Sequence, residues 1–142
     1  MQDVLYTPTA APAGRIPGNR TRILLALIHL LHEASGDDPL VARVFDAARK
    51  LTEAGLLGYS FVEETSWSSE LWADLDSARA NRLIWFHDAE QGHLLPRRVV
   101  SLSSKGQSLV RRIVSGLGPQ VLAKLRSAAG SHTVYSQGPS RP

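Results

Sequence analysis

The stretch Ser66–Trp85, SWSSELWADLDSARANRLIW, decides how the rest of the chain is read. Leu71, Leu75 and Ala78 fall at i, i+4 and i+7, which places one apolar face on a helix. Ser66 or Ser68 can cap that helix, and Glu70 suits the positive end of its dipole. After Asn81 the period changes to two. Leu83, Trp85 and His87 point one way and Ile84 and Phe86 the other, as in a strand. The helix is acidic: it carries Glu70, Asp74 and Asp76 against one internal base, Arg79.

Upstream, residues 1–18 hold Pro8, Pro12, Pro17, Gly14 and Gly18 among small residues and read as a flexible arm. Asn19 is placed to cap a first helix that runs to about Ala34. Its residues Ile23, Leu24, Leu27, Ile28, Leu30 and Leu31 cover most of its circumference, which suits a core centre or an oligomer interface. The turn SGDDP follows, with Asp38 as expected N-cap and Pro39 at the first helical position. Val41, Val44, Phe45, Ala48 and Leu51 continue with helical spacing until Gly55 and Gly58. YSFVEE, residues 59–64, alternates weakly and predicts a short strand.

Downstream, DAEQG turns the chain and RRVVSLS forms a second β-rich run, giving a hairpin with a long connection from Asp88 to Pro96. Ser104 and Gln107 suggest a capping box for a fourth helix bearing Leu109, Val110, Ile113, Val114 and Leu117. SGLGP breaks it. Pro119 starts a short fifth helix with Val121, Leu122 and Leu125, and residues 129–142 read as a flexible tail.

The order is helix, helix, short strand, helix, strand, loop, strand, helix. It resembles the winged-helix plan, a relative of helix-turn-helix. RRVVSLSSKGQSLVRRI is similar to the exit from the wing into the last helix of MarR-like and PadR-like regulators, with Leu102, Ser103 and Gly106 at the matching positions. LLGYSFVEETSWSSELWADLDSARANRLI is similar to the YwgA-like and Panacea (SocA-type antitoxin) group. Tyr59 and Phe61 match that group's strand, and Trp67, Ser68, Glu70, Leu71, Asp74 and Leu75 match its helix start. Thr65 and Ser66 stand where the group has Gly-Pro. The resemblance implies regulators and antitoxin-like partners, and makes Glu70 and Asp74 part of a pattern. It carries over no catalytic residue. The expected fold is therefore α+β, mostly α: a winged helix-turn-helix domain over residues 19–128 with flexible termini.

The 142 residues suit one domain with its own core, and there is no cysteine for disulfides or thiolate metal sites. No basic segment followed by an apolar run opens the chain, and Ile23–Leu31 is too short for a membrane span, so a cytoplasmic location is expected. Net charge is +3, unevenly spread. Of 13 acidic residues, 12 lie between Glu33 and Glu90, and none lies from Gln91 to Pro142. That last stretch holds Arg97, Arg98, Lys105, Arg111, Arg112, Lys124, Arg126 and Arg141. Such asymmetry suits a polyanion or an acidic partner, and equally a solvated basic surface.

His29 and His32, with Glu33, lie at helical spacing, and His87 or His93 would have to complete a metal site. A packed or hydrogen-bonded histidine is the expectation, and no metal or other cofactor is expected. The sequence has no phosphate loop, no G-x-S-x-G and no set of nucleophile, base and orienting group, so an enzyme is not expected. Trp85 is expected in the core. Trp67 and Trp72, near the helix start, are candidates to anchor a partner.

Two functions stay open. The first is a DNA-binding transcriptional regulator, homodimeric through the first helix and the segment Leu109–Leu125. Its phosphate contacts would come from Arg82, Arg97, Arg98, Lys105, Arg111 and Arg112, with Arg15, Arg20 and Arg22 assisting. The second is a winged helix used for protein contact, as an antitoxin-like or adaptor subunit, through Trp67, Glu70, Trp72 and Asp74. The acidic helix favours the second. A continuous basic strip would favour DNA, and a mixed surface with exposed tryptophan would favour protein.

Overall fold

The computed structural model describes residues 19–89 and 97–137. They form helices α1 (Asn19–Ser35), α2 (Val41–Glu53), α3 (Ser69–Ala80), α4 (Ser104–Ser115) and α5 (Pro119–Gln137), with strands β1 (Ile84–Ala89) and β2 (Arg97–Leu102) between α3 and α4. The result is mostly helical with one two-stranded antiparallel sheet. The expected arm, the connection from Glu90 to Pro96 and residues 138–142 lie outside the described residues.

The apolar circumference of α1 makes it the axis of the molecule. Ile23, Leu24, Leu25, Ala26, Leu27, Ile28, Leu30 and Leu31 are all buried within the single chain, where α1 meets α2, α3, α4, α5 and β2. This removes the reason for expecting α1 to be a dimer interface: neighbouring elements of the same chain already cover it. Helix α5, expected to be short, runs on to Gln137 and adds to the cover through residues 125–129. Residue 129, expected to start a tail, instead lies inside the helix, and Leu125, Ala128 and Ala129 are buried in the core. Small alanines there permit close packing, and Arg43 of α2 donates to the Ala129 carbonyl at 3.0 Å. Burial lowers the Arg43 guanidinium below its ordinary range. In the segment Leu109–Leu125, Val110, Ile113 and Leu125 are likewise spent on the core.

Between α1 and α2 the chain does not follow the expected capping. Helix α2 begins after Leu40, which is extended and supplies no side-chain cap. Leu40 forms a bridge with Val99, and the Pro39 carbonyl accepts from the Val100 N–H at 3.0 Å. The segment before α2 is thus drawn to the free edge of β2, and Asp38 is left to face histidines rather than the helix. Residues 59–64 form no strand. The segment turns instead, with the Val62 N–H on the Trp67 carbonyl at 2.8 Å and Glu64 in the left-handed region at φ 64°.

Ser68 caps α3, its hydroxyl accepting from the Leu71 N–H at 3.2 Å. Strands β1 and β2 pair from Ile84 opposite Leu102 to Ala89 opposite Arg97. Ile84 is buried, and Trp85, expected in the core, is 50% exposed on the other face of the hairpin. Helix α4 is capped one residue earlier than expected: the Ser103 hydroxyl accepts from the Gly106 N–H at 3.0 Å and donates to the Arg82 carbonyl at 2.6 Å. A Cβ on Gly106 would collide with the Leu83 carbonyl oxygen. Gly106 is therefore what lets α4 press onto the start of β1. Leu27, Phe45, Leu71, Leu75, Ile84 and Ile113 share one core cluster, as the spacing predicts.

Candidate functional site

The acids of α3 are largely occupied within the molecule. Asp74 accepts the Tyr59 hydroxyl at 2.6 Å and the Arg20 Nε–H at 2.8 Å on the same oxygen. The Arg20 guanidinium also lies over the Tyr59 ring, 4.5 Å from its centroid. One acidic side chain thereby ties α1, the irregular 59–64 segment and α3 together. Burial, and then the bond to Asp74, push the Tyr59 phenol well above its ordinary range. Burial alone would lower the Arg20 guanidinium, but the Asp74 carboxylate outweighs it and the net shift is upward. Glu70 accepts the Ser60 N–H at 2.7 Å. Asp76 pairs with Arg79 at 2.8 Å, both exposed.

Asp74, expected on a partner-binding surface, is thus an internal pin, and Glu70 holds the preceding loop while remaining exposed. The sequence signals the helix but not the pin. Tyr59 and Arg20 lie 15 and 54 residues from Asp74, and nothing in the spacing joins them.

The tryptophans form a row of rings. Phe45 of α2 stacks on Trp67 with centroids 5.1 Å apart and planes 6° off parallel. Trp67 meets Trp72 at 6.3 Å, and Trp72 stacks on Phe86 of β1 at 5.4 Å. Such contacts add roughly 0.5–1.5 kcal/mol each beyond area burial. Trp67 nevertheless remains 47% exposed, and Trp72 is half-buried. Between α3 and the hairpin, a groove is lined by the rings of Trp72 and Phe86 and by Asp76, Arg79, His87, Asp88 and Arg98. Its charges balance: Asp76 pairs with Arg79, and Asp88 lies 3.9 Å from Arg98.

The basic residues singled out in the sequence do not form one continuous strip. Arg82 follows α3 in the left-handed region at φ 63°, its side chain exposed. Lys105 reaches back from α4 to the Asn81 carbonyl at 3.3 Å, so Arg82 and Lys105 share one corner. Arg112 is two turns further on the same face of α4. Among the described residues no acid lies within ion-pair distance of Arg82, Lys105 or Arg112. Arg98 sits apart, on the hairpin. Arg111 turns toward α1 and lines a cavity there with Ile28 and Asp38. The Arg97 side chain and the arm residue Arg15 lie outside the described residues. Arg20 is committed to Asp74, and Arg22 is exposed.

The histidines at helical spacing find carboxylates: His29 is 3.2 Å from Glu33 and His32 is 3.2 Å from Asp38. Among the described residues no group of three such side chains could hold a metal ion. No described helix is long and apolar enough to cross a membrane. No family model, no curated protein and no solved structure matches the chain.

Proposed function

We propose that the chain is a winged-helix regulator that binds double-stranded DNA through phosphate contacts, without base reading by α3. The order α1, bridging Leu40, α2, α3, hairpin supports the winged-helix assignment. The observation that carries the function is the corner of Arg82 and Lys105, continued by Arg112, with no acid within ion-pair distance among the described residues, beside a helix whose acids have partners within the molecule. The acidity of α3, the main objection to DNA, is reduced once Asp74 is spent on Arg20 and Asp76 on Arg79.

Of the exposed residues of α3, Ser69, Ala73, Ser77 and Ala80 are short, Glu70 and Asp76 are acidic, and Arg79 is paired with Asp76. Arg79 is the one side chain of the type that makes bidentate base contacts in a major groove, and it is engaged by that acid. Affinity then rests on phosphates, which position a protein without specifying sequence. Sequence preference would have to come from DNA shape. A cytoplasmic location accompanies this reading. A homodimer through α1 does not, because α1 is covered. The test is fluorescence anisotropy with an unspecific duplex across a salt series, comparing the chain with an R82Q/K105Q/R112Q variant.

A second reading, a protein-binding module, is favoured by the charge-balanced groove and by exposed Trp67 and Trp85. Under it, Trp67 and Trp72 anchor the partner and Glu70 steers it. The D76N substitution separates the two. It removes repulsion from phosphates and should leave DNA affinity unchanged or raised, whereas it should slow association with a basic protein partner.

A further inference from the structure

A cavity of about 180 Å³ opens where α1, the turn before α2, β2 and α4 meet. On one side stand Arg111 and Gln107 of α4, on another Asp38 of the turn, His29 and His32 of α1 also line it, and the apolar lining comes from Ile28 and Leu102. Arg111 and Asp38 both line this space yet form no ion pair with each other. Asp38 is approached by His32 at 3.2 Å and, more loosely, by His87 at 3.9 Å. Among the described residues Arg111 has no hydrogen-bond or ion-pair partner.

A small cavity that presents a guanidinium without a partner among the described residues, a carboxylate shared with His32 and an aliphatic lining has the polarity of a zwitterion carrying an apolar side chain. A guanidinium offers a planar fork that matches a carboxylate, and the Gln107 amide supplies a further donor. A carboxylate such as Asp38 is an acceptor for an ammonium group. The volume is a little above the roughly 150 Å³ of a protein cavity that holds benzene, the size range of a small amino acid.

We infer that this cavity binds a free aliphatic α-amino acid, with its carboxylate on Arg111 and Gln107, its ammonium on Asp38 and its side chain against Ile28 and Leu102. The inference does not depend on DNA binding. Because the cavity joins α1 and α4 to the base of β2, an occupant would tie the hairpin to the helical body.

The test is a heteronuclear NMR titration of the full chain with L-leucine. Two analogues serve as probes: isocaproate, which is leucine without its amino group, and isoamylamine, which is leucine without its carboxylate. Leucine should produce saturable shifts at Leu102, Gln107 and Arg111. Each analogue should bind about tenfold or more weakly, the factor one charge-assisted hydrogen bond carries. R111Q should abolish the leucine shifts, and D38N should weaken leucine without weakening isocaproate. Isocaproate binding as well as leucine would overturn the zwitterion assignment. So would leucine shifts that never saturate or that fall elsewhere on the molecule. The analogue series uses the unmodified chain, so its outcome does not depend on how the variants fold.

Discussion

Asp74 holds Tyr59 and Arg20 on a single carboxylate oxygen, at 2.6 and 2.8 Å. The contact makes an acid on a helix expected to face a partner into a joint between α1, α3 and the segment that joins α2 to α3. Hydrogen bonds to charged groups contribute about 1.5–3 kcal/mol. Asp74→Asn should therefore destabilise the fold by about that much in urea unfolding. Tyr59→Phe, which removes only the hydroxyl, should cost less. An Asp74→Asn protein of unchanged stability would show that the joint carries no weight.

The same joint sets a response to alkali. The Tyr59 phenol is raised by burial and by Asp74, whereas an unfolded tyrosine titrates near pH 10. A group whose folded pKa is raised contributes stability that is fully present below the unfolded value and is lost as pH rises above it. Stability should hold up to about pH 10 and fall beyond it. Ultraviolet titration of the native protein should show Tyr59 resisting ionisation, and Tyr59→Phe should remove that resistant fraction.

Gly106 packs against the Leu83 carbonyl, where no Cβ fits. Gly106→Ala adds helix propensity on α4 yet should destabilise by about 1–3 kcal/mol, as overpacking does. A stabilised Gly106→Ala protein would mean that α4 does not sit on β1 as described. Circular dichroism melting decides between the two.

Leu75 is fully buried at the centre of the α3 face. Leu75→Ala should cost about 2–5 kcal/mol, from lost transfer energy and the cavity left behind. Chemical denaturation reads this directly.

Where periodicity was strong, the sequence was a reliable guide. Leu71, Leu75 and Ala78 gave α3, and the change of period at Asn81 gave β1. The apolar girth of α1 gave the core. What it did not reveal depended on distant partners. Residues 59–64 alternate like a strand, but their polar groups are taken by Glu70, Asp74 and a local turn. Trp85 has the composition of a core residue, yet the hairpin register sends Ile84 inward and leaves Trp85 outside. Asp38 looks like a cap until Leu40 pairs with Val99 and moves the helix start. Past residue 129, glycine and polar residues conceal that α5 continues.

At the candidate site, Arg82, Lys105 and Arg112 were legible as bases but not as neighbours. It is the contact of Lys105 with the Asn81 carbonyl that joins the end of α3 to α4. Nothing in the spacing shows that Arg111, adjacent to Arg112, faces a cavity against α1. Nor does the acidic composition of α3 show that Asp74 is turned away from any partner.

The central claim is phosphate binding by the corner of Arg82, Lys105 and Arg112. The most direct measurement is the affinity for a duplex of arbitrary sequence at rising salt. Each phosphate contact contributes about 0.9 to the slope of log affinity against log salt. Binding at low salt should weaken steeply as salt rises, and R82Q/K105Q/R112Q should flatten the slope by about two to three. No binding at low salt, or a slope unchanged in the triple variant, would contradict the account and leave the exposed tryptophans as the surface to explain.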